Sequence, residues 1–507
     1  MTTTAAVPPL TRAELRACAD QLKLSMSDQE LDMYAAFMGG MTADFNLIAG
    51  LEAPRLPVKY PRGGGYRPGG DENRFNAWAW KSSVKGAPSG KLAGKRVVVK
   101  DNIGVAGMPM LNGSKVFEGF VPDEDATVVT RVLDAGAEIV GKAVCENFCF
   151  SGGSHTAASG PVRNPHHLDH MTGGSSSGCA ALLVAGECDL AIGGDQGGSI
   201  RMPASFSGCY GIKPSYGLVP YTGASPIEQS VDHLGPMANS TADCALLLEV
   251  LAGYDGGLDP RQSAALVPKP YVSALAQGVA GLRFGIVREG FATVGAEADV
   301  DALVRAAAAR MREAGAVVEE ISIPMHTQAP SIMMSSIIDG TLSTFTDQGV
   351  SGPNPKGHSP LAAIEFYQRV RHTRANDYPI TVKTVLMFAL AMRRRYGNYY
   401  SAKAQNLVRT VRAAYDAALS ACDILVMPTT PMKAHRIPPA DAAPADIMGC
   451  ALDMTGNTAP FDATGHPSMS VPAGFSDGLP VGMMFTGRYG EDDVVLRAGH
   501  AFEQLGR

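Results

Sequence analysis

The sequence predicts an α/β protein in which a sheet-forming region follows a helical N-terminal segment. From about residue 90, short apolar runs such as Arg96-Val97-Val98-Val99 alternate with helical stretches. Residues 282–323 repeat this order as a strand, a helix and a strand, the arrangement of an α/β unit. Residues 10–50 instead carry two helix-start signatures.

The N-terminal segment begins both of its predicted helices with a capping box, Thr11 with Glu14 and Ser27 with Glu30. The second helix has an apolar stripe, which we expect to pack on the core or on a second copy of the chain; its residues are Leu31, Tyr34, Ala35, Met38 and Met41. Residues 54–70 are rich in Pro, Gly and Arg and predict a linker. We therefore divide the chain into a helical extension with its linker, 1–68, and a main domain, 69–507.

The main domain contains further elements that the patterns of apolar residues predict in order. Helices are predicted over 127–135, 177–185, 299–314 and 492–504, and strands over 96–99, 137–144, 282–287, 317–323, 423–427, 469–471 and 481–485. Residues 326–400 look irregular with helical stretches, and we interpret them as an insertion.

Composition excludes several function classes. The net charge of −6 over 507 residues gives no general attraction for nucleic acid or an anionic membrane. The longest apolar stretch, 179–194, is interrupted by Glu187 and Asp189, so no membrane span is predicted. Because Met1 to Leu10 lack the pattern of a signal peptide, we expect a cytoplasmic protein.

The nine cysteines are scattered and lie mostly in apolar runs, which is typical of buried thiols in a reducing compartment. Cys145 and Cys149 are four residues apart, but no second pair follows at zinc-site spacing. We therefore expect no metal site, and the chemistry described below requires no organic cofactor.

Three features carry chemistry. Lys100 ends a buried apolar run, where a lysine must be paired or uncharged. Residues 173–178, Gly-Gly-Ser-Ser-Ser-Gly, open a helix of small residues, and Gly193 to Arg201 contains glycines just before Ser199. Such glycines let backbone N–H groups point one way, as an oxyanion hole requires. Taken singly, each feature has an ordinary interpretation: a flexible loop, a phosphate-binding turn, or a lysine whose amine reaches the surface.

Together the three features resemble the amidase signature family, whose working unit is a Ser–cis-Ser–Lys triad. Lys100 and Ser175 are 75 residues apart, and Ser199 follows Ser175 by 24, as expected for the family. The resemblance is closest over residues 70–250. It implies a large mixed, twisted β-sheet covered by α-helices, with a signature core at about 85–250 and the insertion at about 326–400.

Carried onto this chain, the resemblance implies that Lys100 is the base, Ser175 the relay and Ser199 the nucleophile. The implied oxyanion donors are the backbone N–H groups of Gln196, Gly197, Gly198 and Ser199. Asp195 and Arg201 match a supporting ion pair, and Ser176 a supporting hydroxyl. Phe150 and Ile227 match substrate-lining positions, although either is equally explained as a core side chain.

More narrowly, residues 195–198, the segment 217–223 and the helical extension resemble bacterial enantioselective amidases of the nitrile-degradation type. This implies a small-molecule amide substrate, aliphatic or aromatic. From the apolar stripe of the N-terminal helices we expect a homodimer. Asp462 departs from the wider family, in which Asn is common at this position.

The chemistry fits an amidase without a histidine base, since no histidine lies in the three motifs. An ordinary lysine is uncharged about once in a thousand near pH 7.4, a cost of ~4 kcal/mol. We expect burial beside hydroxyls to reduce that cost, and strand alternation to turn Asp101 away from Lys100.

Three alternatives stay open. One is a carbamate, anilide or hydrazide hydrolase with the same triad. Another is the amide-transferring subunit of a tRNA-dependent amidotransferase, which would need partner subunits and an ammonia channel; Gln196 argues against it, because that branch usually has Thr there. The third is an inactive binding protein, which the presence of all three triad residues disfavours.

Overall fold

The computed structural model describes residues 7–506 except 353 and 355, and twelve strands of these residues form one mixed β-sheet. In spatial order the strands are β1 (Gly65–Tyr66), β2 (Trp78–Lys85), β4 (Glu138–Ala143), β3 (Arg96–Lys100), β5 (Leu190–Asp195), β7 (His233–Ala238), β6 (Tyr210–Lys213), β11 (Ser468–Ser476), β12 (Leu479–Thr486), β10 (Ile424–Pro428), β8 (Arg283–Val287) and β9 (Val317–Ile321). The predicted α/β class with a large mixed sheet is confirmed.

Fifteen α-helices accompany the sheet in the described part of the chain. They are α1 (Arg12–Leu22), α2 (Asp28–Gly50), α3 (Thr127–Asp134), α4 (Ser177–Val184), α5 (Arg201–Ser207), α6 (Thr241–Leu251), α7 (Tyr271–Ala274), α8 (Ala298–Arg310), α9 (Ala329–Thr346), α10 (Leu361–Val370), α11 (Ile380–Tyr396), α12 (Tyr399–Ala421), α13 (Pro444–Leu452), α14 (Ala459–Thr464) and α15 (Asp492–Gln504).

One part of the sheet, β4-β3-β5, is parallel, because β3 pairs in parallel with β4 on one side and β5 on the other. The side chains of Val97, Val98 and Val99 are fully buried, as expected for a strand covered on both faces. Lys100 is the last residue of this strand. Strand β3 therefore places a lysine side chain in the protein interior, at the carboxyl end of the strand.

The chain divides into two compact units, Met1–Leu56 and Pro57–Arg507. In the first unit, both predicted capping boxes begin their helices at Thr11 and Ser27. A small core forms there around Leu15, Ala19 and Leu31. The predicted apolar stripe of α2 is buried only in part, since Tyr34 and Met41 are exposed. Residues 1–6, part of the segment expected to lack a signal peptide, lie outside the described residues.

Residues 326–400, predicted to be irregular with helical stretches, contain more helix than expected. Helices α9, α10, α11 and the first residues of α12 occupy most of this segment. The apolar residues of α9 face the protein interior on several sides, so they do not mark the single stripe that predicts a helix. Strand β5 was also missed, because its fully buried residues continue the apolar run of α4 without alternation.

Among the described helices, none is both long enough and apolar enough to cross a bilayer.

Candidate active site

Lys100 and Ser175 are in direct contact inside the protein. Lys100 Nζ lies 2.7 Å from Ser175 Oγ and donates to the Gly194 carbonyl oxygen at 2.9 Å. Both side chains are fully buried. Asp101, the next residue after Lys100, directs its carboxylate to Lys142 Nζ at 3.1 Å instead. The hydrogen-bond partners of Lys100 thus include a hydroxyl and a carbonyl oxygen, and no described carboxylate forms an ion pair with it.

The segment that contains Ser175 is joined to the segment that contains Ser199. The backbone N–H of Ser176 donates to the Ser199 carbonyl oxygen at 3.1 Å. Ser176 Oγ donates to the Gly194 carbonyl at 3.1 Å and accepts the Gly194 N–H at 3.2 Å. The Gly174–Ser175 peptide bond is cis. Ser176 therefore connects the end of β5 with both serine-containing loops.

The loop 196–199 presents free backbone donors beside Ser199. No acceptor among the described residues takes the N–H of Gln196, Gly197 or Ser199, and all three residues line one pocket. The N–H of Gly198 is different, because it donates to Asp195 Oδ1 at 2.5 Å. The Gly198 N–H, predicted to be an oxyanion donor, is therefore already hydrogen-bonded within the loop.

Asp195 and Arg201 form a fully buried ion pair that holds this loop. Arg201 Nε and Nη2 donate to the two oxygens of Asp195, each at 3.0 Å. Asp195 also accepts the N–H of Ile200 at 3.0 Å. Burial acts to raise the pKa of Asp195, but the charge and hydrogen bonds of Arg201 outweigh it and hold that pKa well below its ordinary value.

The pocket beside Ser199 is mainly apolar. Phe150 and Ile227, the two residues expected to contact substrate, both lie in its wall. The other lining residues are Cys149, Ser151, Gly152, Gln196, Gly197, Met202, Pro330, Met333, Met334, Ile337, Leu452, Thr455 and Ala459. No charged side chain is among the described lining residues. Such a wall suits an uncharged, largely apolar ligand.

Sequence reasoning missed the part of the wall that comes from outside the three motifs. Helix α9 contributes Met333, Met334 and Ile337, and the region around α13 and α14 contributes Leu452, Thr455 and Ala459. Methionines and leucines on helices are typical of any core, so no signal in the sequence separated these residues from packing. Within the described residues, no cluster of three or more His, Cys, Asp or Glu side chains is arranged to hold a metal ion.

The comparisons with known proteins agree with this geometry. A family model described as Amidase matches residues 70–496. The chain belongs to the amidase family. The match includes the whole Lys100, Ser175 and Ser199 constellation and ends within α15. The enzyme is thus an amidase, a hydrolase of carboxylic acid amides.

Among its relatives, this amidase is 47% identical to an enantioselective amidase of Rhodococcus rhodochrous over 435 residues, 85% of this chain and 83% of that protein. It is 36% identical to one subunit of the glutamyl-tRNA(Gln) amidotransferase of Methanosarcina mazei over 431 residues, 84% of this chain and 87% of that protein. The higher identity to the amidase favours hydrolysis over amide transfer.

Solved structures of related enzymes share the fold of this amidase. A bacterial aryl acylamidase superimposes with a TM-score of 0.72 at 27% identity, covering 86% of this chain and 90% of that one. The peptide amidase of Stenotrophomonas maltophilia superimposes with a TM-score of 0.68 at 30% identity, covering 82% and 83%. These likenesses agree with the assignment of the chain as an amidase.

Proposed function

We propose that this amidase hydrolyses small, uncharged carboxylic acid amides to the acid and ammonia through an acyl-enzyme on Ser199. The observation that carries the proposal is the contact of Lys100 with Ser175 behind a loop whose free N–H groups and Ser199 face one apolar pocket. A serine needs a base to become a nucleophile, and this contact supplies a candidate.

In the proposed cycle, uncharged Lys100 takes a proton from Ser175 as Ser175 takes one from Ser199. Ser199 Oγ then attacks the amide carbonyl carbon. Ser175 returns a proton to the leaving nitrogen, and water releases the acid from the acyl-enzyme by the same relay. The contacts of Lys100 support its role as the base, because its partners are a hydroxyl and a carbonyl oxygen and the carboxylate of the adjacent Asp101 contacts Lys142 instead.

The negative charge that develops on the carbonyl oxygen requires donors that are already oriented. We assign this role to the N–H groups of Gln196, Gly197 and Ser199, since they have no acceptor among the described residues. We assign the Gly198 N–H to holding Asp195. Loss of one such donor typically lowers kcat by about 10²- to 10³-fold.

The pocket supports a neutral substrate rather than glutamine. Free glutamine carries an α-ammonium and an α-carboxylate, and burying either without a partner is costly. The described lining residues offer no opposite charge to either group. An aryl or alkyl acyl group, by contrast, fits beside Phe150, Ile227 and the methionines of α9.

We further propose a homodimer in the cytoplasm. The dimer is supported by α2, on which Phe37, Met41, Phe45 and Ile48 are each about two-thirds exposed in the single chain. The cytoplasmic location is supported by the nine free cysteines, seven of which are buried, because this pattern is typical of proteins in a reducing compartment. Light scattering of the purified protein tests the dimer, and a monomeric mass contradicts it.

The central test uses the protein purified alone. We expect ammonia release from benzamide or propionamide, and a hydroxamate when hydroxylamine is added, because hydroxylamine intercepts an acyl-enzyme. An anilide, a carbamate and glutamine serve as comparison substrates. Turnover of the carbamate or the anilide without turnover of the primary amides contradicts the substrate class but keeps the triad. Activity only on glutamine with added partner subunits contradicts the hydrolase.

A further inference from the structure

Arg201 is held by two carboxylates, not one. Besides its bonds to Asp195, its Nη2 donates to Asp462 Oδ2 at 2.6 Å, and all three side chains are fully buried. Its Nη1 donates to the Thr458 carbonyl oxygen at 2.9 Å. Asp462 lies in α14, and Thr458 immediately precedes that helix. Arg201 thus connects α14 with the end of β5.

This connection reaches the loop that presents the candidate oxyanion donors. Asp195, on the other side of Arg201, accepts the Gly198 N–H. Thr458 Oγ1 donates to the Gly197 carbonyl oxygen at 2.7 Å. Both polar groups of the Gly197–Gly198 peptide, its C=O and its N–H, are therefore hydrogen-bonded. The C=O is bonded to Thr458, which precedes α14, and the N–H is connected through Asp195 and Arg201 to Asp462 of α14.

The cluster holds more carboxylates than cations in direct contact. One guanidinium faces Asp195 and Asp462, and burying a second uncompensated negative charge is strongly unfavourable. The other titratable groups facing Asp462 are His233, whose Nδ1 is 3.6 Å from Asp462 Oδ1, and Lys213, whose Nζ is 3.4 Å from His233 Nε2. His233 Nδ1 already donates to the Val231 carbonyl at 2.8 Å.

None of these groups compensates the second charge directly. Burial lowers the pKa of His233 well below its ordinary value, so His233 is neutral. Burial lowers the pKa of Lys213 only to about 8, so Lys213 is mostly charged at pH 7, but its Nζ contacts His233 and forms no ion pair with Asp462 among the described residues. Asp462 Oδ1 has no hydrogen-bond partner among them either. Two carboxyls that share one site resolve such a conflict when one of them keeps its proton.

We propose that Asp462 is a positioning residue that carries a proton at neutral pH and, as a neutral acid, holds Arg201 and Asp195 in the arrangement that orients the loop 196–199. The inference rests on the proposed function, because it assigns Asp462 a role in that reaction. Burial and the neighbouring charge of Asp195 raise the pKa of Asp462 well above its ordinary value, in agreement with this state. The carboxyl of Asp462 then donates to Asp195, which stays ionised beside Arg201.

The proposal has a consequence for the pH dependence of the reaction. As the pH rises and Asp462 loses its proton, a second negative charge appears beside Asp195 in a buried site. The two carboxylates repel each other, the loop loses its fixed orientation, and kcat falls at alkaline pH. Asn cannot ionise, yet its oxygen can accept from Arg201 and its amide can donate to Asp195.

The test compares Asp462→Asn with Asp462→Ala in the full-length enzyme, with benzamide as substrate. We expect kcat of Asp462→Ala to fall by about 10²-fold with KM within about threefold, since oriented donors act mainly on the transition state. Asp462→Asn should restore most of that loss at pH 7 and should lack the alkaline fall. Thermal unfolding of each variant shows whether Asp462→Ala folds.

Two controls separate Asp462 from its surroundings. Lys213→Met should keep the alkaline fall, which excludes Lys213 as its source. Asp416→Asn makes the same carboxylate-to-amide change at a half-exposed residue that is hydrogen-bonded to His466. It should leave the pH profile of kcat unchanged. A readout independent of turnover is the infrared difference spectrum of wild type and Asp462→Asn, which should contain the C=O band of a protonated carboxyl.

The inference is overturned if Asp462→Asn is as damaged as Asp462→Ala, if it keeps the alkaline fall, or if the infrared band is absent. Wild-type enzyme without activity on any amide instead contradicts the proposed function. The two failures are therefore distinguishable.

Discussion

Lys100 Nζ lies 2.7 Å from Ser175 Oγ, although 75 residues separate them along the chain. The contact forms because Lys100 ends the buried strand β3, while Ser175 lies two residues before α4. Because the amine and the hydroxyl are buried together, a change in the charge of either group is transmitted to the other with little screening by solvent.

Replacing Ser199 with Ala should remove turnover without unfolding the enzyme. We expect kcat to fall by about four orders of magnitude or more, since the nucleophile itself is lost. The matched control is Ser207→Ala in the following helix, whose Oγ donates to the Thr172 carbonyl away from the pocket lining. Activity of Ser199→Ala within about tenfold of wild type, measured by ammonia release, would exclude Ser199 as the nucleophile.

Replacing Lys100 with Met should be nearly as damaging, and Lys100→Arg should not restore activity because a guanidinium stays charged. Since the proposed base must be uncharged, wild-type kcat should rise from acidic pH before the alkaline fall that we expect from Asp462. Single His→Ala variants should keep this rise. A fully active Lys100→Met enzyme, or loss of the acidic limb in one histidine variant, would contradict the relay.

Gly198 and Gly197 are adjacent, and they should differ sharply in tolerance to Ala. Gly198 has φ of +128°, and a Cβ there would collide with the Thr458 side chain. At Gly197 the nearest atom to a new Cβ is 3.9 Å away. We expect Gly198→Ala to lower kcat by about 10²-fold or more through displacement of the loop, and Gly197→Ala to stay within about tenfold. Equal effects of the two changes would contradict the assigned loop geometry.

Removing the Phe150 side chain should weaken binding of an aromatic amide more than it slows the chemistry. Loss of apolar contacts in a pocket typically costs ~1–3 kcal/mol, so KM for benzamide should rise about tenfold or more in Phe150→Ala. Propionamide, which has a smaller acyl group, should be affected less. Phe475→Ala, at a half-exposed position outside the pocket, is the control. An unchanged KM would assign Phe150 to packing alone.

His466 should make the enzyme sensitive to mild acid. Burial lowers its pKa to about 4, although its Nε2 donates a hydrogen bond to the Asp416 carboxylate, which acts to raise that pKa. The unfolded chain binds this proton near pH 6.5, so stability contributed by neutral His466 is present above that pH and lost as the pH falls towards 4. The loss should amount to roughly 3 kcal/mol.

Denaturant unfolding at pH 7, 5.5 and 4.5 measures this effect. The free energy of unfolding of wild type should fall across the series, and His466→Gln should show a smaller fall. His372→Gln, at an exposed position, should follow wild type. A slope in His466→Gln equal to that of wild type would assign the acid sensitivity to other groups.

Local features of the chain were readable from the sequence. The capping boxes at Thr11 and Ser27 predicted two helix starts, and the run ending in Lys100 predicted a buried strand. These predictions succeed because a cap or a buried strand depends on residues within a few positions of one another. The residue types of the candidate site, a lysine after an apolar strand and serines among glycines, were likewise visible because each lies inside one short motif.

The tertiary structure decided how these motifs meet other parts of the chain. Asp462 contacts Arg201 across 261 residues, and Met333 of α9 faces the same pocket as Ser199. The Gly198 N–H points to Asp195 because Arg201 and Thr458, which lie outside the loop 196–199, hold this loop in place. An aspartate, a methionine or a glycine N–H has no distinctive local pattern. The sequence by itself therefore determined the chemistry available to this protein, and only the packing of distant segments determined which groups share a charge, a pocket or a hydrogen bond.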